Sequence, residues 1–591
     1  MSNYVVPQRE LSFIFDEIIG YDEHCKMPGF EEAGGDLVEV ILPEAAKFFE
    51  QVVAPTNPQG DKYPAHLKDG EVVASPGLAD AYGKMVDAGW CCLNGDPAHG
   101  GTGFPGVVDL AVQEMLQSAN LGFSLLPMLT RGVVHALGLY GTVEQKDTYL
   151  EKLISGAWSG TMNLTEPQAG SDLSAVRTKA VFNGDHYLIS GQKIYITWGD
   201  HECAENIIHL VLARKPDSPE GNEGISLFLV PKFLVNADGS PGQHNEVKTV
   251  GVEHKLGIHS SPTCTLQFGD NGGAVGYLVG EENRGLQCMF TMMNNARLSV
   301  GHQGVAVGER AYQQAVAYAQ DRVQGRVSGI EGRAPIIHHP DVKRMLMHMR
   351  ALTEAGRAMS FFAIAAEDRS SHHPDETVRA ANAKRVEIMT PLVKGWCTEV
   401  AMESTSLGVQ VHGGMGFIEE TGAAQHMRDA RILPIYEGTN GIQALDFVGR
   451  KCLRDGGEGL SALIADMTET ASLANASAQI QGLLNSLEYA ITQCQEALDY
   501  VLANPDQSGY LAYSHMMLFG NSVAYWLMVK QAIAAQKHVD HGSEDRFYIQ
   551  KIATAQFFAT QLLTRNYSHL ATITGSSSYL ESLDEKDFLT L

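Results

Sequence analysis

From Lys179 to Gly280 the chain reads as a series of short β-rich runs: AVFNGDHYLIS, KIYIT, NIIHLVLA, GISLFLV, PTCTLQF and GYLVG. The stretches on either side carry helical periodicity instead. Turn signals at Asn183-Gly184, Ser190-Gly191, Asp238-Gly239 and Asn271-Gly272-Gly273 separate the runs, a pattern that predicts a small antiparallel barrel or sandwich. An all-β insert between helical blocks makes the chain α+β.

Upstream of it, helices are expected at Asp36–Val53, Leu78–Trp90, Val107–Asn120 and Val143–Ser155. Downstream, long helices near Gln287–Gln320, Pro340–Ala366 and Glu376–Gly408 suit a bundle. After the Asp455-Gly456-Gly457 break a last block carries the stripe Ile480, Leu484, Leu487, Ile491, Cys494, Leu498 and Val501, spaced for one helix face. Met516–Val529 is apolar nearly all round and reads as a buried bundle helix. The 591 residues thus divide into an extension (1–35), a helical domain (36–160), a β domain (161–280), a helical bundle (281–453) and a C-terminal helical domain (454–591).

A formal charge of −26 opposes non-specific binding to nucleic acid or an anionic membrane. Nine scattered cysteines without CxxC spacing indicate a reducing compartment and no structural zinc. The first residues lack a basic segment leading into an apolar one, and no uninterrupted apolar run is long enough for a membrane span, so a cytoplasmic protein is expected.

A literal G-x-G-x-x-G at Gly101, Gly103 and Gly106 has neither a strand before it nor an acid about twenty residues later, and reads as a flexible turn rather than a dinucleotide site. His338-His339 and His372-His373 sit beside prolines without the spacing of a metal site, and no metal is expected. Two other stretches are less generic. Thr165-Glu166-Pro167-Gln168-Ala169-Gly170-Ser171-Asp172 offers hydroxyl and backbone donors to a cofactor's polar edge, although its composition alone also fits an inter-domain loop. In the second, the glycines of Gln410-Val411-His412-Gly413-Gly414 permit close backbone approach to a ligand. Further on, Glu437 precedes a helix expected at Ile442–Arg450, with Asn440 and Gln443 as its capping box. A carboxylate beside Pro434, Ile435 and Tyr436 is suited to partial desolvation and base duty.

These stretches, with GQKIYIT at 191–197, KLGIHSSP at 255–262, NNAR at 294–297 and MRDARILPIYEGTNGIQ at 427–443, resemble the acyl-CoA dehydrogenase family over about residues 40–452. The resemblance implies FAD held between the β domain and the second helical bundle, with a neighbouring subunit touching the flavin. By motif, Met162, Leu164, Thr165 and Ser171 would line the flavin, with Tyr195 and Thr197 against its ring and N5 edge. Arg322 and Gln324 would reach the cofactor of a partner subunit; Gln410, Gly413 and Gly414 would hold its adenosine pyrophosphate part, and Thr439 would approach the cofactor. Arg297 and Gly438 would contact substrate, and Glu437 would be the catalytic base.

Three departures stand out: Tyr195 where Trp is common, Trp198 where Asn is common, and VQGRVSGIEGRAP after Arg322 in place of a shorter run. The extended ends resemble the family's long bacterial branch. That likeness implies a homodimer, an electron-transferring flavoprotein as acceptor, no nucleic acid or membrane partner, and a short-chain substrate with the 3-methylthiopropanoyl thioester as best expectation. An acyl-CoA oxidase using O2 and a non-catalytic, nucleic-acid-associated flavoprotein are the alternatives on the same fold.

Overall fold

The computed structural model describes residues 4–474, 476–575 and 578–589. The chain forms two compact units: Gly29–Ser299 together with a short segment ending at Val6, and Pro7–Pro28 together with Val300–Leu591.

The Gly29–Ser299 unit opens with helices and a hairpin of β1 (His66–Lys68) and β2 (Glu71–Val73). Helices Gly106–Ala119, Leu121–Tyr140 and Val143–Ser155 follow. The last of these is opened by a Thr142/Gln145 capping box, Thr142 Oγ1 accepting from Gln145 N at 3.2 Å. Leu121–Tyr140 is long and apolar enough to cross a membrane, but 83% of its apolar window is buried inside the fold.

The remaining strands are β3 (Trp158–Asn163), β4 (Lys179–Asn183), β5 (His186–Thr197), β6 (Asn206–Arg214), β7 (Ile225–Pro231), β8 (Phe233–Val235), β9 (Pro241–His244), β10 (Val247–Val252), β11 (Thr263–Phe268) and β12 (Ala274–Val279). Pairings β5–β4, β4–β6, β6–β7, β7–β12 and β12–β5 close a small barrel, with β3 beside β6, and β11 and then β10 beyond the second half of β5. Its core holds Ala180, Tyr187, Ile189, Val211, Phe228, Val230, Leu266 and Phe268.

Three expectations need correction. The barrel is not purely antiparallel: β3 and β4 both pair parallel to β6. Ser190-Gly191 is no turn: β5 runs through it and passes from pairing with β4 and β12 to pairing with β11. Gly191 takes φ 151°, and a Cβ there would lie 2.6 Å from Thr178 Oγ1, so only glycine fits this corner. The Gly101–Gly106 loop is tightly packed, since a Cβ on Gly101 would lie 2.1 Å from the Gly95 backbone; as expected, no strand leads into it.

In the second unit, helices Pro340–His372 and Glu376–His412 form an antiparallel pair against the later part of Gly285–Asp321. Ala478–Ala503 buries Ile480, Leu484, Leu487, Cys494, Leu498 and Val501, and Ser508–Asp540 buries all of Met516–Val529, as its all-round apolarity predicts. The Trp396 indole donates to Asn521 Oδ1 at 2.8 Å, joining the bundle to this last block.

The N-terminal stretch belongs here too. Phe13 meets Phe547 edge-on at 5.4 Å, and buried His24 pairs with Asp368 at 2.9 Å. The fully buried Lys551 ammonium bonds Glu10, Glu354 (3.1 Å) and Gln531 (2.9 Å). Of the stretch read as an extension, Pro7–Pro28 packs into the helical unit.

Candidate functional site

In the β unit, the Thr165–Asp172 loop is fastened from below. Glu166, 4% exposed, accepts from Lys193 Nζ (2.8 Å), Thr178 Oγ1 (2.6 Å), Thr178 N (3.0 Å), Arg177 N (2.8 Å) and Gln168 Nε2 (2.6 Å). Burial pushes its carboxyl up, but the Lys193 charge and these bonds outweigh burial and hold it at about 2. Lys193 is fully buried, and desolvation exceeds what Glu166 returns, leaving it at about 8. Its ammonium also donates to Leu164 O at 3.0 Å.

The same loop meets β5 where Ile194 N turns to Thr165 O at 2.9 Å. Against β11 the register slips there, with Leu266 opposite Lys193 and Cys264 opposite Ile196, leaving Ile194 and Tyr195 facing Thr265 alone. This is a β-bulge, and Tyr195 takes the left-handed conformation, φ 59°. The bulge turns its ring outward, 60% exposed. Trp198, also left-handed at φ 50°, anchors the strand end: its N donates to Pro262 O (2.7 Å) and its buried indole to Gly122 O (3.0 Å). Thr165, Tyr195 and Thr197 are therefore brought together, with Leu164 and buried Met162 at the end of β3 and Ser171 exposed on the loop. Arg297 lies apart in the Gly285–Asp321 helix, nearly buried, and donates to Asn294 Oδ1 at 3.2 Å.

In the helical unit, Glu437 sits on a loop closed by Asn440 N donating to Pro434 O at 3.0 Å. Glu437 is half-buried and left-handed, φ 55°, and Gly438 follows at φ 89°. A non-glycine residue held there costs of order 1 kcal/mol, and such strain clusters at functional sites. Tyr436 fixes one side: half-buried, it donates to Gln303, and desolvation, then the neighbouring Glu437 charge, hold its phenol well above the ordinary value and so neutral.

The capping box expected at Asn440 is displaced. The helix is Asn440–Val448, and Thr439 caps it, Oγ1 accepting from Ile442 N at 3.2 Å. Asn440 is buried and bonds Lys394, Thr398 and Glu399 instead. Arg322, Gln324, Gln410, Gly413 and Gly414 are exposed at one end of this unit, where the Tyr318 and His412 rings stack at 4.4 Å. VQGRVSGIEGRAP forms an exposed loop there, closed by Ile336 N to Arg322 O (2.8 Å) and Gln324 N to Ala334 O (3.0 Å). Gly413, φ 59° and ψ −140°, has open space where a Cβ would stand.

Among the described residues no His, Cys, Asp and Glu group is built to hold a metal. The paired histidines bond backbone carbonyls, His339 with Gln324 O and His372 with Pro28 O. In the β unit, an exposed ring re-aimed by a bulge and hydroxyls on a rigidly held loop fit a flavin ring; in the helical unit, a glycine turn beside exposed Arg322 and Gln410 fits the phosphates of a dinucleotide. Glu166, Lys193 and Lys394 had no role assigned from the sequence; the signal in reach for the first two was their place within TEPQAGSD and GQKIYIT, and Lys394 lies in none of the motifs.

Comparison with known proteins matches four family models along the chain: acyl-CoA dehydrogenase N-terminal domain (39–157), middle domain (161–271), C-terminal domain (283–452) and an acetyl-CoA dehydrogenase C-terminal-like domain (463–584). A 3-methylmercaptopropionyl-CoA dehydrogenase of Ruegeria pomeroyi is 46% identical over 98% of this chain and 99% of its own. A broad-specificity linear acyl-CoA dehydrogenase of Mycobacterium tuberculosis is 35% identical over the full length of both. The solved acyl-CoA dehydrogenase of Bacillus anthracis complexed with FAD shares the fold, with TM-score 0.75 and 23% identity over 97% of this chain and 93% of its own. The oxidase and nucleic-acid-associated readings find no support among these relatives. The chain belongs to the acyl-CoA dehydrogenase family and is an FAD-dependent oxidoreductase acting on acyl-CoA thioesters.

Proposed function

We propose that the protein dehydrogenates a short-chain acyl-CoA to the 2-enoyl-CoA with Glu437 as the α-proton base, and that 3-methylthiopropanoyl-CoA is its preferred substrate. The observation that carries the base assignment is the strained, half-buried Glu437 on a loop closed by Asn440 N and braced by Tyr436. A carboxylate held rigidly near its working position spends little free energy on ordering when the α-carbon arrives, and the backbone N–H of the same loop is suited to steady a developing enolate oxygen. FAD, when bound, accepts the β-hydride at N5. The chain's part is to hold it: Met162, Leu164, Thr165, Ser171, Tyr195 and Thr197 along the flavin, Gln410, Gly413, Gly414 and Thr439 toward the remainder, Arg322 and Gln324 toward a partner subunit's cofactor. Arg297 and Gly438 serve the substrate. The substrate choice is supported by the 46% identity to the Ruegeria pomeroyi enzyme.

In this reading residues 36–160, 161–280 and 281–453 carry the catalytic parts, with 1–35 and 454–591 added. An electron-transferring flavoprotein takes the electrons, and the protein works as a homodimer in the cytoplasm. Exposed Met415, Phe417 (85%) and Ile418 beside the glycine turn favour an oligomer. Glu437→Gln is expected to keep the bound-flavin spectrum and lose at least ~10²-fold in turnover. A flavin-reduction panel over acyl-CoAs of increasing length, including the 3-methylthiopropanoyl thioester, tests the substrate; fastest bleaching by a long chain would overturn that choice.

A further inference from the structure

Helix Asn440–Val448 starts three residues after Glu437, and its first side chain is clamped in the protein interior. Asn440 Oδ1 accepts from Lys394 Nζ at 2.9 Å, while Nδ2 donates to Glu399 Oε1 at 2.8 Å and Thr398 Oγ1 at 2.9 Å. Lys394 and Thr398 are fully buried, and Asn440 is 4% exposed. An ammonium only donates and a carboxylate only accepts, so the amide has one orientation that satisfies both. The same residue's N–H closes the Glu437 loop onto Pro434 O, so the clamp and the loop share one anchor.

Glu399 lines a cavity with Tyr513, on the Ser508–Asp540 helix of the C-terminal block, and burial, then the Glu399 charge, push the Tyr513 phenol up to about 12. Phe447 of the post-Glu437 helix packs on His515 (5.5 Å) and Phe519 (5.7 Å) of that same helix.

We propose that Asn440 is a positioning residue for Glu437, its amide held between Lys394 and Glu399, and that the C-terminal helical block, through the Ser508–Asp540 helix that carries Tyr513, His515 and Phe519, serves to set this clamp. The inference rests on Glu437 being the base. It gives the added block a catalytic purpose that bulk alone does not: a buried amide strung between two opposite charges tolerates little displacement, and a shift of about 1 Å in a base costs on the order of 10²-fold in rate.

The test is single-turnover flavin reduction by a short acyl-CoA, using FAD-loaded full-length variants across a pH series. Asn440→Ala is expected to keep the flavin spectrum and substrate KM, to slow reduction about 10- to 100-fold, and to displace the acid limb of the pH–rate profile. Asn440→Asp, which sets a carboxylate against Glu399, is expected to be slower still. Glu399→Gln keeps an acceptor for Asn440 Nδ2 and should recover most of the rate lost in Glu399→Ala. Tyr513 is 44% exposed and opens onto a cavity of about 500 Å³, so Tyr513→Phe folds without a sealed void and should slow reduction about 2- to 5-fold. Wild-type rate and pH profile in Asn440→Ala beside an inert Glu437→Gln would overturn the proposal and leave the base assignment standing. Near-native turnover in Glu437→Gln would remove both. Should the Asn440 variants fail to fold, equal rates for Glu399→Ala, Glu399→Gln, Tyr513→Phe and wild type would overturn it.

Discussion

The Thr165–Asp172 loop and the Glu437 loop are each fastened by a fully buried lysine, in different ways. Under Thr165–Asp172, Lys193 meets Glu166 directly at 2.8 Å; under the Glu437 loop, Lys394 meets the amide of Asn440, and a carboxylate stands on the amide's far side. A direct buried pair binds strongly only while both charges survive, because each alone is costly in a low-dielectric interior. An interposed amide keeps the charges apart and converts their attraction into orientation of one side chain. The first arrangement suits a loop that only needs to stay put for a cofactor. The second suits a loop whose conformation sets the placement of a reactive group.

That contrast breaks most readily at Glu166. Glu166→Ala leaves Lys193 buried without its carboxylate and frees Thr178 Oγ1, a loss of about 3–5 kcal/mol; thermal unfolding should fall and FAD should be released on gel filtration. Acid acts on the same bond. The folded Glu166 carboxyl sits at about 2, below its unfolded value, so its stabilisation is full above about pH 4.5 and is lost as pH falls toward 2. Urea midpoints measured between pH 5 and 3 should drop in wild type, and the drop should be much smaller in Glu166→Gln. Thr178→Val removes one short bond from a carboxylate that keeps four other donors, so about 1–2 kcal/mol is expected, with FAD retained.

Much of the fold was legible because its signals are local. Val143–Ser155 begins and ends where its periodicity places it, and the three long bundle helices start within a turn of their expected limits and end within two turns of them. Two buried elements were not legible. β3, Trp158–Asn163, lies wholly inside and shows no alternation, and Leu121–Tyr140 carries Gly122, Pro127, Gly132 and Gly138 across its periodicity. The cap at Thr439 rather than Asn440 is a one-residue displacement between two good capping types, decided by Lys394, Thr398 and Glu399, which want the asparagine amide for themselves. In the site, the residues that face outward were readable from motifs; the groups beneath them were not, because a lysine's burial depends on partners tens of residues away.

The tie between Glu10 and Lys551 spans 541 positions of chain. At ribosomal speeds of ~5–20 residues per second, the first helix waits roughly half a minute to two minutes before its partner is even synthesised. Gly29–Ser299 has nearly all of its segments to hand long before then. Biogenesis would therefore be staged, the β-containing half maturing on the ribosome while a sticky amphipathic leader, with Leu11, Phe13, Ile14 and Phe15, drifts unsheltered. Shielding by a holding chaperone is the natural remedy for that interval.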